Sequence, residues 1–321
     1  MKLYIIGNGF DRHHKLETNY QSFGLFLKNE YPIIYDGLIE YCGFSDLTKQ
    51  PIDDVLWNEF EENLSLLDPE IVFDGHRNSL ANPGSSEFRD RDWGTFSIEM
   101  ENVVDNLTTN LFKAFREFIL NVEFPLLNSN LKLCLDNRAL YLSFNYTDTL
   151  EQYYGISESN INYIHGKAKT GNTDLILGHG VDPDNFKNEA PKPPEGLTED
   201  DMERWREQIN DNYDYSFELG KEELLSYFLR TFKQTKDIIL LNSVFYNKIH
   251  NVDEVFILGH SLSEIDMPYF HEIMRIINGN PIFTVSYYSR TEYHSHKETL
   301  LNLGINKKCI RLIKMDELLG S

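Results

Sequence analysis

The first eleven residues constrain the fold most. Met1-Lys-Leu-Tyr-Ile-Ile-Gly-Asn-Gly-Phe-Asp11 reads as a short strand, a tight glycine-bearing turn and the lead into a helix. Leu3, Tyr4, Ile5 and Ile6 form an apolar run with β-branched and aromatic members, which suits a strand buried on both faces. Gly7 and Gly9 permit a sharp turn and a close approach to a ligand. Asp11 could cap the following helix or bind a ligand hydroxyl. In an open parallel sheet such a turn is where a nucleotide sits. The string Gly-Asn-Gly-Phe-Asp-Arg lacks the third glycine of a dinucleotide fingerprint, so an ordinary tight strand-to-helix turn stays open as the other reading.

With 321 residues, 41% of them hydrophobic, the chain can form one large α/β domain or one domain with a substantial insertion. A formal charge of -21 argues against broad binding to a nucleic-acid backbone and leaves room only for a local basic groove. Cys42, Cys134 and Cys309 form neither a close metal-binding pair nor a disulfide pattern, which fits a reducing compartment. The opening apolar run is too short for a signal peptide, and no 18-residue apolar span follows. A soluble cytoplasmic protein without a membrane partner is expected.

Downstream, Tyr20, Phe23, Phe26, Leu27 and Tyr31 share one helix face, with Thr18 as a candidate cap and Pro32 at the end. Residues 52–67 repeat the pattern through Ile52, Val55, Leu56, Phe60, Leu64 and Leu67; there Glu59, Glu61 and Glu62 line either a site or a solvated face. Residues 75–95 read as a loop. Its Arg77, Arg89 and Arg91 could meet a phosphate or pair with neighbouring acids. A long helix is expected over about 96–120. These segments make residues 18–135 a helical insertion between the first and second strands. Residues 181–218 carry twelve acidic and four basic residues, with Pro191, Pro193 and Pro194 near the start. They read as a surface excursion, partly helical around Met202–Ile209, and as a candidate lid.

The α/β pattern resumes with strands expected at 139–144, 161–164, 175–177, 254–258, 281–288 and 309–313. Asn145 follows the first of these, His165-Gly166 the second, His179-Gly180 the third and Gly259-His260-Ser261 the fourth, with Asp266 beyond. Polar and glycine residues at strand ends are the layout of a site at the C-terminal edge of a sheet. An imidazole can accept a proton near neutral pH, and an asparagine amide can hold a ribose hydroxyl or a water. Asn145 and His165 are therefore a candidate pair for chemistry at a sugar carbon. A hydrogen-bonded structural role is the other reading of each lone strand-end histidine. No His-Glu-x-x-His string or Cys-His cluster suggests a metal site. No Gly-x-Ser-x-Gly elbow or phosphate-binding Gly-x-x-x-x-Gly-Lys loop occurs either.

These motifs carry a resemblance. Gly7-Asn-Gly-Phe-Asp11, Trp57-Asn-Glu-Phe-Glu61, Phe144-Asn-Tyr-Thr-Asp-Thr-Leu150, Ile164-His-Gly166 and Leu258-Gly-His-Ser-Leu262 with Asp266 resemble the bacterial phage abortive infection protein AbiH family, over almost the whole chain. That resemblance implies an antiphage effector.

More distantly, the motif order resembles sirtuin-like NAD-hydrolysing domains of bacterial defence systems. Their Gly-Ala-Gly turn is matched by Gly7-Asn8-Gly9, their Thr-x-Asn-Tyr-Asp motif by Ser143-Phe-Asn145-Tyr146, their His-Gly pair by His165-Gly166, and their Gly-x-Ser-Leu motif by Gly259-His-Ser261-Leu262. The resemblance implies an open, mostly parallel, Rossmann-like (sirtuin-like) α/β sheet with NAD as substrate or ligand. It carries catalysis onto Asn145 and His165. Contacts to the dinucleotide fall on Gly7, Asn8, Gly9, Phe10, Asp11, Gly259, His260, Ser261 and Asp266. Asn8 replaces the small alanine, and Thr147 stands where an aspartate usually follows the tyrosine. The four-cysteine zinc module of the deacetylases has no counterpart. Hydrolysis of the nicotinamide–ribose bond is thus expected rather than deacetylation. A nuclease or other nucleotide-processing enzyme, and a nucleotide-sensing module without catalysis, are the alternatives. A phage-derived trigger and a homo-oligomer are the expected partners besides the nucleotide.

Overall fold

A computed structural model describes residues 1–49, 55–171, 175–188, 191–211 and 213–319. It contains a six-stranded sheet in which every pairing is parallel. The strands are β1 (Lys2–Ile6), β2 (Leu140–Ser143), β3 (Ile161–Tyr163), β4 (Glu254–Leu258), β5 (Ile282–Ser286) and β6 (Ile310–Ile313). Their order is β3-β2-β1-β4-β5-β6. The first half of the chain builds outward from β1 in one direction, and the second half returns to its other flank. This is the Rossmann-like order, and its reversal point lies between β1 and β4.

β1 is central because its apolar run satisfies both faces. Leu3 and Ile5 pack with Leu142, Val255, Ile257 and Val285 on one face. Tyr4 and Ile6 pack with Tyr141, Leu150 and Leu258 on the other. The Tyr4 ring stacks between Tyr141 at 5.0 Å and Phe256 at 4.8 Å, tying three neighbouring strands together. Each such fully buried side chain contributes about 1.5–3 kcal/mol. The register pairs Ile6 with Ser143 on one side and Leu258 on the other, so the ends of β2, β1 and β4 lie level.

The expected strand at 175–177 does not form. The Ile176 N–H donates to the His165 carbonyl, and the Ile176 carbonyl accepts from the Tyr146 hydroxyl. The segment is thus held at the sheet's edge by the turn after β3 rather than by a ladder. The helix Tyr20–Glu30 ends just before Pro32, as expected, and Pro32 also begins the next helix, Pro32–Cys42, which suits a residue without an N–H. Asn19, not Thr18, receives the first-turn N–H of Ser22. The apolar pattern at 52–67 breaks into Val55–Asn58, Phe60–Asn63 and a 3-10 turn at Leu64–Leu66; residues 50–54, with Ile52, lie outside the described residues. The expected helix over 96–120 runs as Thr95–Asp105 and Leu111–Leu120 joined by a π-turn at Asn106–Asn110.

The chain divides into two compact units. The first comprises residues 1–26, 114–180 and 233–321 and carries the sheet. The second comprises residues 27–113 and 181–232. Its named elements are helical, so the acidic excursion joins the helices inserted after β1 in one body. There Gly220 lets the helix Tyr215–Arg230 approach Thr95–Asp105, since a Cβ at Gly220 would stand 2.3 Å from the Phe96 ring. Trp57 is fully buried beside Tyr35, Phe44 and Phe60. Arg77 and Arg91 are exposed, near Asp74 at 4.0 Å and Asp92 at 3.7 Å.

Candidate functional site

At the end of β1 the glycines serve contact between two turns. A Cβ on Gly7 would lie 2.6 Å from the His260 Cα, and one on Gly9 would lie 2.8 Å from the Gly259 Cα. Gly259 has a φ of +66°, and a Cβ there would meet the Phe10 nitrogen at 2.1 Å. Gly7 N–H donates to the Leu258 carbonyl, Gly9 N–H to the Gly259 carbonyl, and Phe10 N–H to the Gly7 carbonyl. The turns after β1 and β4 are thus locked together at the sheet's reversal point, and these three N–H groups are engaged within the protein. Asn8 exchanges hydrogen bonds with Thr18 through its side chain. Phe10 is fully buried, packed on His14 and Tyr154.

Asp11 lies inside the helix Asn8–His13 rather than at its cap. It is buried and accepts from the Thr147 hydroxyl at 2.6 Å and the Thr149 hydroxyl at 2.7 Å. Burial pushes its carboxyl up to about 6, against the opposing pull of these two hydroxyls and of the nearby Asn145 amide. Thr147, which departs from the sirtuin-like motif, therefore has a local cause. It joins the turn after β2 to the helix after β1.

Asn145 and His165 each stand two residues beyond the paired strand ends Ser143 and Tyr163. They are 6% and 2% exposed. Among the described residues no group completes a well-formed hydrogen bond to either side-chain atom of Asn145 or to His165 Nε2, although the Asn145 amide lies close enough to Asp11 to act on its carboxyl. The His165 ring packs edge-on against Phe144 and Tyr269. Burial holds its pKa well below the usual imidazole value, and Lys233 and His260 add to this. His165 is therefore a neutral imidazole at physiological pH.

The β4 end supplies the rest. His260 Nδ1 accepts the Leu262 N–H at 2.9 Å, which leaves the proton of the neutral ring on Nε2. That nitrogen lies 3.5 Å from Asp266 Oδ2. Leu262 reaches back because it adopts a φ of +57°, which is unfavourable for a γ-branched residue and held by its burial. Burial lowers the His260 pKa to about 3. Asp266 Oδ1 lies 3.8 Å from His165 Nε2 and 3.7 Å from Lys233 Nζ. Burial raises the Asp266 carboxyl, and Lys233 opposes the rise. Ser261, by contrast, is exposed.

The sheet edge thus unites His165, His260 and Asp266, with Asn145 at the neighbouring strand end. Sequence reading missed Lys233. In the sequence it is one of three basic residues, with Arg230 and Lys236, between two apolar stretches, and nothing distinguishes it from a surface lysine. His179, expected to mirror His165, is fully buried and its carbonyl accepts the Lys233 N–H. Among the described residues no group of three or more His, Cys, Asp or Glu side chains is arranged to hold a metal ion. Among the same residues no helix is long and apolar enough to cross a membrane.

A family model for bacteriophage abortive infection AbiH matches residues 3–288, a stretch that includes every residue of this cluster. The chain belongs to the AbiH family. No curated protein and no solved structure matches it. AbiH membership gives the chain a role in phage abortive infection.

Proposed function

We propose that this AbiH protein hydrolyses the nicotinamide–ribose bond of NAD at the C-terminal edge of its sheet. The observation that supports this reading best is the buried Nε2 of His165, without a hydrogen-bond partner among the described residues and 3.8 Å from Asp266 Oδ1, with the buried Asn145 amide at the end of the neighbouring strand. A buried polar group without a partner costs about 1–3 kcal/mol, so a fold that retains several at one strand edge has a use for them. The reversal point between β1 and β4 is where a Rossmann-like sheet binds a dinucleotide.

In this reading Asn145 holds the ribose hydroxyls or the attacking water. Nicotinamide leaves with the electrons of the C1′–N bond, and water adds to the ribose carbon. Neutral His165 takes the proton that the water gives up, and the Asp266 carboxylate faces the imidazolium so formed. The products are nicotinamide, ADP-ribose and a proton. The turns at 7–11 and 259–263 wall the crevice. An effector of this kind is restrained until infection, by a phage-derived trigger or by assembly of copies.

Lys233 favours a second reading. A buried cation beside two imidazoles also suits chemistry at a nucleotide phosphate, as in a nuclease. NAD consumption by the wild type and His165→Ala separates these readings. His165→Ala should lose turnover at least about a hundredfold, the usual contribution of a general base, with an unchanged circular dichroism spectrum. Equal NAD consumption by the two proteins refutes the assignment, and RNA cleavage without NAD loss favours the second reading.

A further inference from the structure

Lys233 is an interior lysine, its side chain 1% exposed. The main chain fixes it in place. Its N–H donates to the His179 carbonyl at 2.8 Å, and its own carbonyl accepts the Thr235 N–H at 2.8 Å. Nζ and His165 Nε2 approach the same oxygen, Asp266 Oδ1, at 3.7 and 3.8 Å. The other oxygen lies 3.5 Å from His260 Nε2 and 3.5 Å from the Ser263 hydroxyl.

We propose that Lys233 is a positioning residue that keeps Asp266 ionised and His165 unprotonated, so that the imidazole is free to accept a proton and the carboxylate to stabilise it. The role rests on the hydrolase reading of the same site. Burial alone drives a carboxyl toward its neutral acid, and a cation within about 4–6 Å reverses that preference. The same cation disfavours a second positive charge on the adjacent ring. The groups that face His165 are Asp266 and His260 from the segment after β4, the Tyr269 phenol from the helix Met267–Ile276, the Tyr146 phenol after β2, and Lys233. Of these only Asp266 favours the imidazolium. Without Lys233 the balance tips, and His165 and Asp266 hold one proton between them near neutral pH.

The test is an NMR titration of the His165 ring in the full chain, without substrate, in the wild type and Lys233→Met. Methionine keeps the unbranched stem and removes the charge. The wild-type ring should titrate well below an ordinary imidazole, whereas the Lys233→Met ring should titrate at least about one pH unit higher than the wild type. A His165 ring and an Asp266 carboxyl, followed in the same titration, that both keep their wild-type protonation overturn the role of Lys233, whatever the enzyme does to NAD. A shifted titration in a protein that leaves NAD intact supports that role and sinks the hydrolase reading instead. If Lys233→Met fails to fold, Lys233→Met combined with Asp266→Asn decides. Removing both charges leaves no unpaired buried ion, so the double variant should fold. Its failure to fold overturns the proposal.

Discussion

Asn145 is a buried amide with no well-formed hydrogen bond among the described residues, and this separates its stability cost from its use. Replacing a residue that only holds the fold destabilises it. Replacing one kept for a ligand need not. Asn145→Ala should leave the thermal midpoint unchanged or slightly raised while NAD turnover is lost. A fall of more than about 2 kcal/mol in urea denaturation would give Asn145 a structural role instead. The histidines make a second claim at this scale. Burial holds His14 at about 4 and His260 at about 3, and lowers His165 and His296. Unfolded histidine takes its proton near 6.5. The stability these neutral rings contribute is therefore present above about pH 6.5 and lost as the pH falls toward their folded values. Asp11, raised to about 6, works the other way, because protonation relieves its buried charge as the pH falls. Asp266 has the same sign as Asp11. Four imidazoles outweigh two carboxyls, so the urea midpoint should drop between pH 7 and 5. A rising midpoint would mean that the carboxyls dominate.

Among the elements, the two central turns matter more than any helix. Gly259 combines a φ of +66° with a neighbouring backbone nitrogen 2.1 Å from where a Cβ would stand. Gly279 has a φ of +84° and nothing within 4 Å. Gly279→Ala should cost about 1–2 kcal/mol for the left-handed conformation alone. Gly259→Ala must also push the β1 and β4 turns apart and should cost more than about 4 kcal/mol or prevent folding. Similar losses in chemical denaturation would show that the two turns yield easily. The same turns show where sequence reading stopped. Gly7 and Gly9 were legible as a tight turn, but glycine beside a ligand and glycine beside another backbone leave the same mark in a sequence. Only the pairing of β1 with β4 shows that Gly259 is the neighbour. Thr147 and Thr149 were equally opaque, since nothing in their spacing from Asp11 announces a bond across more than 130 residues.

At the scale of the whole molecule, the parallel sheet and its helical insertion were legible because β1, β2 and β4 are apolar runs with polar ends. The strand order was not legible, since every parallel neighbour offers the same hydrogen bonds. The 175–177 segment read as a strand from three apolar residues, but Leu177 is buried and Ile176 packs on the core without joining a ladder. The residues of the candidate cluster were legible in Asn145, His165, His260 and Asp266, whose motifs sit at strand ends. Lys233 was hidden because a buried lysine and an exposed one look alike until the chain is folded. The reaction itself is tested most directly by mass-spectrometric identification of the products from NAD and purified protein, alone and with phage-infected lysate. Nicotinamide and ADP-ribose are the expected products, with the glycosidic bond broken and the pyrophosphate whole. Intact NAD under both conditions, or nicotinamide mononucleotide and AMP from a broken pyrophosphate, would contradict hydrolysis of the nicotinamide–ribose bond at this sheet edge.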